Sequence, residues 1–587
     1  MTTSLRLLLE DYLSLMREEG ELDVFLPLLM AAMGHQVVYR PKKGPRQYGV
    51  DVASVGIDSD GKKKLFMWLI KRGDLGRNEW EGGPQKVRES INEVSDVYIR
   101  NFIAPEHKQL SRKLLIVTNG DFLATINQNL ASYLTVWCRR NKVAAEQVNG
   151  SKLASWTEEH LLNEYVLPSE ERGLLRRMLA NVKSPELCLS VGRQLIDQLV
   201  AVKSIKGKSA NAIAKANSTS LRGVATALNV LFVWGQHEEN LLGPYLVAEY
   251  AILATWARYH GDLSTNTHGM RIGGELGVIL AQLASISNAY HSKLDAHYRV
   301  QDSFAYAFRA SELVSKAVFE ELGRLGAIGC FWAHGSAITA EDETQGFYSA
   351  MAVLYADRIQ ALLNSHSCSE MPVFDHHSVH IHAALTVLLA ANRKECAKEW
   401  LHKMCHRLAY AFVNSRFFPT RATFDDVLQV RHGHMDFDEE QLSTSTLIPI
   451  LLTWFAALGM PEAYKFLREK AIASRTRTTP NFWSSSVGYD GAVSDYFELN
   501  SHGVGEAITE IPEEPMEYLK TMSVALPGCA SIAESVWYKQ GLSIIPMLAG
   551  IHWNLQMPRE VIVQQASALC GIELLVNQQS HLQESGD

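Results

Sequence analysis

The texture of this chain changes near residue 170, and that change limits the folds open to it. Before it, short runs rich in β-branched and aromatic residues alternate with stretches of helical period: HQVVYR (35–40), VDVASVGI (50–57), KLFMWLI (64–70) and KLLIVTN (113–119). Strands alternating with helices predict an α/β domain over residues 1–170. After residue 170 almost every apolar run has helix length and helix spacing, as in LVAEYAILATWARY (246–259), GFYSAMAVLYADRIQALLN (346–364) and HIHAALTVLLAANRK (380–394). Joined by short polar connectors, these runs predict a large all-α array of helical hairpins over 171–587, with 415–445 as the place where it would divide. No fixed repeat period near 34 or 40 residues survives inspection. A chain of 587 residues is in any case too long for a single core.

The segment Leu22 to Lys71 carries the chemistry. It reads as a helix with one acid, Asp23, near its start; a Met33-Gly34-His35 turn; a strand; a basic turn; a strand opened by Gly49-Val50-Asp51; a Lys-rich hairpin tip; and a strand ending at Lys71. This order resembles the restriction-endonuclease-like superfamily of the PD-(D/E)xK type, and the Mrr-like branch in particular. The later runs RKLLIVTNGDF (112–122) and VNGSKLASWTEEHLL (148–162) look like that family's next core strand and its closing strand-turn-helix segment, so about 150 residues follow the family's order. The resemblance implies a nuclease fold for residues 1–170. It also implies metal-dependent hydrolysis of a DNA phosphodiester, and a setting in prokaryotic nucleic-acid processing or defence against foreign DNA.

Carried across residue by residue, Asp51 is the metal ligand, Asp23 the auxiliary acid and second ligand, and Lys71 the positioning cation. The chemistry suits these residue types. Carboxylate oxygens hold a hard ion such as Mg²⁺ or Mn²⁺, the ion polarises the phosphate and acidifies its water, and a lysine stabilises developing charge. One position departs from the pattern, because Leu69 stands where the family has Glu, Asp or Gln. Either a migrated acid compensates, with Asp23, Asp74 or Glu79 as candidates and Gln85 also within reach, or the domain keeps the nuclease shape without cutting and the protein acts as a DNA-binding or scaffold protein through its helical region.

Charge bears on the partner. Of 56 Lys+Arg and 64 Asp+Glu, residues 1–170 hold 22 and 22, so the remaining 34 against 42 carries the whole net charge of -8. Within 40–77, ten basic residues face four Asp, a net of +6. Arg40, Lys42, Lys43, Arg46, Arg72 and Arg77 are thus expected to meet backbone phosphates, which DNA and RNA share. The alternative is that these cations sit on two solvated hairpin tips. The helical region is expected to serve a protein partner or a second copy of the chain.

Other signals are weaker. His376 and His380 in DHHSVHIH, which also holds His377 and His382, share the i, i+4 spacing that a zinc pair uses, as do His402 and His406, while His432 and His434 sit in RHGHMD; but HExxH is absent, no third ligand is named by the sequence, and histidines capping a buried helix account for them better. No P-loop, dinucleotide fingerprint or nucleophile elbow occurs. Eight cysteines without a CxxC read as reduced thiols. The acidic residues in MTTSLRLLLEDYLSLMREEGE are unlike a signal peptide, and no apolar run reaches the roughly 20 residues of a bilayer helix. The expectation is a cytoplasmic protein without a membrane partner.

Overall fold

The computed structural model describes residues 10, 13–14, 16, 22–39, 48–82, 86–161, 169–201, 210–263, 267–307, 311–413, 423–436, 438–473, 478–485, 503–524, 533, 535–554 and 556–574. By packing, the chain divides into two units, Met1–Val247 and Ala248–Asp587.

The first unit is built on a five-stranded sheet whose spatial order is its chain order: β1 (Gln36–Tyr39), β2 (Val52–Ile57), β3 (Lys63–Lys71), β4 (Ser111–Thr118) and β5 (Ala144–Val148). β1, β2 and β3 are antiparallel neighbours, whereas β3, β4 and β5 run parallel. Tight turns suffice for the first kind of link, and the second requires crossovers. Helix α1 (Asp23–Ala32) precedes β1, α2 (Val87–Glu93) lies between β3 and β4, α3 (Ala124–Asn141) joins β4 to β5, and α4 (Gly150–Trp156) follows β5.

β3 is buried without interruption from Leu65 to Ile70, as a central strand covered on both faces must be. One face presents Ala53, Val55, Leu65, Met67 and Leu69 to a core shared with Val87 and Ile91 of α2 and Leu130 of α3. The opposite face carries Ser54, Phe66 and Trp68. There the Ser54 hydroxyl bonds His35 Nδ1 at 3.1 Å and accepts the Trp68 indole N–H at 2.9 Å. His35 gets there because Gly34, at φ +84°, ends α1, with the His35 N–H donating to the Met30 carbonyl at 2.9 Å. The Met-Gly-His turn therefore has a packing role.

Three further helices, α5 (Ser169–Ala180), α6 (Pro185–Val200) and α7 (Ala210–His237), belong to the first unit and pack on one another. Helix α8 (Leu242–Tyr259) spans the division.

The second unit holds α9 (Thr267–Arg299), α10 (Ser311–Ile338), α11 (Asp342–Ser365), α12 (His377–Ala390), α13 (Lys394–Val413), α14 (Leu447–Ala457), α15 (Pro461–Ala473), α16 (Pro515–Met522), α17 (Ile544–Trp553) and α18 (Arg559–Leu569). α10 packs against α11, α12 and α17, and α12 is buried around nearly its whole circumference. The all-α expectation fails in one place. β6 (Thr444–Ser445), β7 (Thr479–Ser485) and β8 (Gly503–Ala507) form a three-stranded sheet, with β6 and β7 parallel and β7 and β8 antiparallel. These strands are short and rich in Ser, Thr and Gly, so they lack the apolar alternation that announces a strand, and their backbone pairing holds them instead. Among the described residues no helix is long and apolar enough to cross a membrane.

Candidate functional site

The register of β2 and β3 brings the two best sequence candidates together. Val52 pairs with Trp68 across the ladder. Asp51 donates its N–H to the Trp68 carbonyl at 2.8 Å, and its Oδ2 accepts the Ile70 N–H at 2.6 Å. The next residue, Lys71, ends β3 opposite Thr118 of β4. Asp51 and Lys71 thus lie at the same end of adjacent strands, both partly buried. Alternation along β3 carries Lys71 to the face shared by Leu65, Met67 and Leu69.

Gly49 permits this arrangement. Its φ is +76°, and a Cβ there would sit 2.0 Å from the Ser90 carbonyl oxygen of α2, so only glycine lets the chain pass under the helix and deliver Asp51 to the ladder. The Gly-Val-Asp motif is a geometric necessity as much as a chemical signature.

Leu69, the departure from the family pattern, is 1% exposed and belongs to the core under α2 and α3. The other proposed acids are engaged locally: Asp74 Oδ1 accepts the Asp121 N–H at 2.8 Å, and Glu79 Oε2 accepts the Gly76 N–H at 2.9 Å. Asp23 opens α1, but its side chain lies outside the described residues, as do Arg40, Lys42, Lys43, Arg46 and Gln85. Arg72 and Arg77 are exposed just beyond Lys71. Among the described residues no three His, Cys, Asp or Glu gather to hold a metal ion. Mg²⁺, however, takes one or two carboxylates and fills its remaining positions with water and phosphate oxygens, and Asp51 offers one such carboxylate.

The Lys-rich tip belongs elsewhere. Lys64 is separated from Lys71 by nearly the length of β3, about 23 Å at ~3.3 Å per residue. There Lys64 pairs with Asp58 at 2.6 Å and Asp60 at 2.7 Å, while Lys113 pairs with Asp58 at 2.8 Å and Glu146 at 2.7 Å. Burial opposes ionisation of Asp58, but the hydrogen bonds from Lys113 and Lys64 outweigh it and hold the carboxyl far below the usual range. Lys64 neutralises carboxylates at the far end of the sheet from the site.

Sequence reasoning missed the residue that organises the site. Asn119, 2% exposed, follows β4. Its Oδ1 accepts the Gly73 N–H at 2.7 Å, and its Nδ2 donates to the carbonyls of Leu13 at 2.7 Å and Met16 at 2.8 Å. Thr118 Oγ1 donates to the Gly73 carbonyl, and Asn149 Nδ2 donates to Asp121 Oδ1 at 2.9 Å. The loops after β3, β4 and β5 are thereby tied together at the carboxyl ends of the parallel strands, where open α/β sheets bind ligands. The Thr-Asn-Gly-Asp run closing β4 is the local sign of this hub.

In the second unit the histidine-rich motif is a packing device. The buried Asp375 carboxylate accepts from Ser445 Oγ at 2.5 Å, Thr446 Oγ1 at 2.6 Å and the N–H groups of Thr446 at 2.7 Å and Leu447 at 3.1 Å, capping α14. His382 Nδ1 accepts the Trp454 indole N–H at 3.2 Å, so its Nε2–H donates to Gln565 Oε1 at 2.8 Å. Burial holds this imidazole neutral, with its pKa lowered to about 4. His377 stacks on Phe319 with ring centroids 4.7 Å apart. His402 and His406 sit on exposed helix surface with Nε2 atoms 3.0 Å apart.

A second buried polar cluster centres on Glu321. Its carboxylate accepts from Tyr298 OH at 2.5 Å, Tyr290 OH at 3.0 Å and Arg324 Nη1 at 3.1 Å, with His291 Nδ1 at 2.9 Å. Burial opposes its charge, yet these donors bring its pKa down to about 2.

Comparison of the chain with family models, curated proteins and solved structures finds no match.

Proposed function

We propose that the first unit is a metal-dependent endonuclease that hydrolyses DNA phosphodiesters. Asp51 and Asp23 hold Mg²⁺ or Mn²⁺, Lys71 steadies the attacking water and the charge developing on the phosphate, and Arg72 and Arg77 grip the backbone. The observation that supports this reading best is the meeting of Asp51 and Lys71 at the end of adjacent strands, beside loops drawn together at the carboxyl ends of β3, β4 and β5. The metal would polarise the phosphate and lower the pKa of its bound water. The largely helical second unit then acts as the regulatory or partner-binding part of a cytoplasmic effector, a setting that suits defence against foreign DNA.

A second reading, a nuclease-shaped domain that binds DNA without cutting it, is favoured by one observation. Leu69 fills with hydrocarbon the position where a third ligand would sit, and the Asp51 carboxylate already caps a ladder hydrogen bond.

The test uses the full chain with supercoiled DNA, linear DNA and RNA in Mg²⁺ or Mn²⁺. Asp51→Asn keeps an acceptor for the Ile70 N–H while removing the charge, and Lys71→Met keeps the aliphatic stem. The nuclease reading expects each to lower cleavage by about 10²-fold or more. Cleavage that survives both variants defeats the site, and DNA binding with no cleavage in any protein supports the second reading.

A further inference from the structure

The second unit contains a cavity of about 520 Å³ with no assigned role. Helices α10, α11, α12 and α18 wall it, together with Ser543 at the start of α17. The volume exists because small residues line it: Ala333, Ala337, Ala352, Ala390, Ala391 and Ala568 present only methyl groups. It falls within the roughly 300–1,000 Å³ of small-molecule sites.

Among the described residues no Asp, Glu, Lys or Arg lines the cavity, yet its walls are far from apolar. Gln565 has its Oε1 fixed by the His382 Nε2–H, which sets the orientation of its carboxamide and of the NH₂ donors on the other side. Thr386 Oγ1 spends its proton on the His382 carbonyl at 2.8 Å and keeps its lone pairs as acceptors. Gln345 donates to the Ser336 carbonyl at 3.2 Å. His334 lines the cavity with its Nε2 turned to the Gly541 backbone. Fixed donors and acceptors between small apolar side chains match a molecule that bears both kinds of group. A charged ligand would find no counter-charge among the described residues of the lining.

We propose that this cavity binds an uncharged, hydrogen-bonding molecule of nucleoside size. The site discriminates against the phosphorylated forms of the same molecules, because no cation is among the described residues that line it. This inference stands independently of the nuclease reading.

The full chain is melted with adenosine, guanosine, cytidine or uridine at about 1 mM, each beside its 5′-monophosphate, and any hit is titrated by calorimetry. At least one nucleoside is expected to raise the melting temperature by roughly 2 °C or more, and its monophosphate to do so less. Ala390→Trp and Ala568→Trp start from exposed alanines on two different helices, so they fill the space while sparing the core. Each should abolish the shift. Thr386→Val keeps the shape and should weaken binding at least about fivefold. The proposal is overturned if no nucleoside shifts the wild-type protein, if the shift survives both tryptophan variants, or if the monophosphates bind equally well.

Discussion

Leu69→Glu supplies the acid that the resemblance to the nuclease pattern calls for, at the cost of a buried hydrocarbon, and its energetics can be worked out beforehand. Leu69 is 1% exposed, so a carboxyl placed there enters dry core. Burial raises such a pKa by about 3–5 units from about 4.3. The folded protein at pH 7 would then hold the group protonated while the unfolded chain releases the proton. The difference of about 2.7 units costs about 3.7 kcal/mol at 1.36 kcal/mol per unit. Part of the leucine's burial, itself worth about 1.5–3 kcal/mol, is also lost. A total near 5 kcal/mol compares with a whole-domain stability of about 5–15 kcal/mol. Because the folded pKa is raised, the electrostatic part is absent below about pH 4.3 and grows as pH rises through it. Leu69→Met, which conserves volume, should cost under about 1.5 kcal/mol.

The assay is hydrogen exchange of β3 and β4 amides by mass spectrometry, which reports this unit alone, at pH 4.5 and 7.5, in chelator and in Mg²⁺. If Asp51 and the new glutamate hold the ion together, Mg²⁺ should recover part of the loss. A Leu69→Glu protein within about 1 kcal/mol of Leu69→Met at pH 7.5 in chelator would refute the reasoning, since the position would then be solvated.

Three other outcomes are expected. Gly49→Ala must place its Cβ against the Ser90 carbonyl at a positive φ, so it should cost about 3 kcal/mol in the same exchange assay; a loss under about 1 kcal/mol would contradict the geometry. Asp375→Ala leaves two hydroxyls and two backbone N–H groups of the α14 cap without their acceptor, and should cost about 3–5 kcal/mol in denaturant titration, whereas Asp375→Asn should cost less; equal losses would sink the capping account. His382, held to a pKa of about 4 against about 6.5 unfolded, costs nothing at neutral pH. The second unit should lose up to about 3 kcal/mol through this residue as pH falls from 6.5 to 4, and a His382→Asn protein whose melting temperature declines as steeply as wild type over that range would show otherwise.

The central strands were legible because they are buried. VDVASVGI, KLFMWLI and KLLIVTN contain β2 to β4, or most of each, since a strand covered on both faces must be continuously apolar, while HQVVYR contains β1, a half-exposed edge strand betrayed by its Val-Val-Tyr run. β5 was not recognised as a strand in its own right: Ala144–Val148 sits at the sheet edge, and Glu146 spends its charge on Lys113 and Lys152. β6 to β8 were hidden by polar composition. The pairing of Asp51 with the end of β3 was readable in outline, because a hairpin register follows from two strands and a turn. The hub at Asn119 could not be read at all, since it acts through one carboxamide on backbone carbonyls more than a hundred positions away. The charge count between 40 and 77 misled for a related reason: strand length separates Lys62, Lys63 and Lys64 from Lys71.

The sheet of the first unit can be assembled in the order of its synthesis. Because β1 to β5 stand side by side in chain order, each strand that leaves the ribosome finds its partner already present at the growing edge. The stretch around Leu13 is the exception. Its carbonyl waits for Asn119, 106 residues later, which at roughly 5–20 residues per second is a delay of about 5–20 s. During that interval a stretch made before the whole sheet stays undocked, and a chaperone or a nascent-chain protease would meet it undefended.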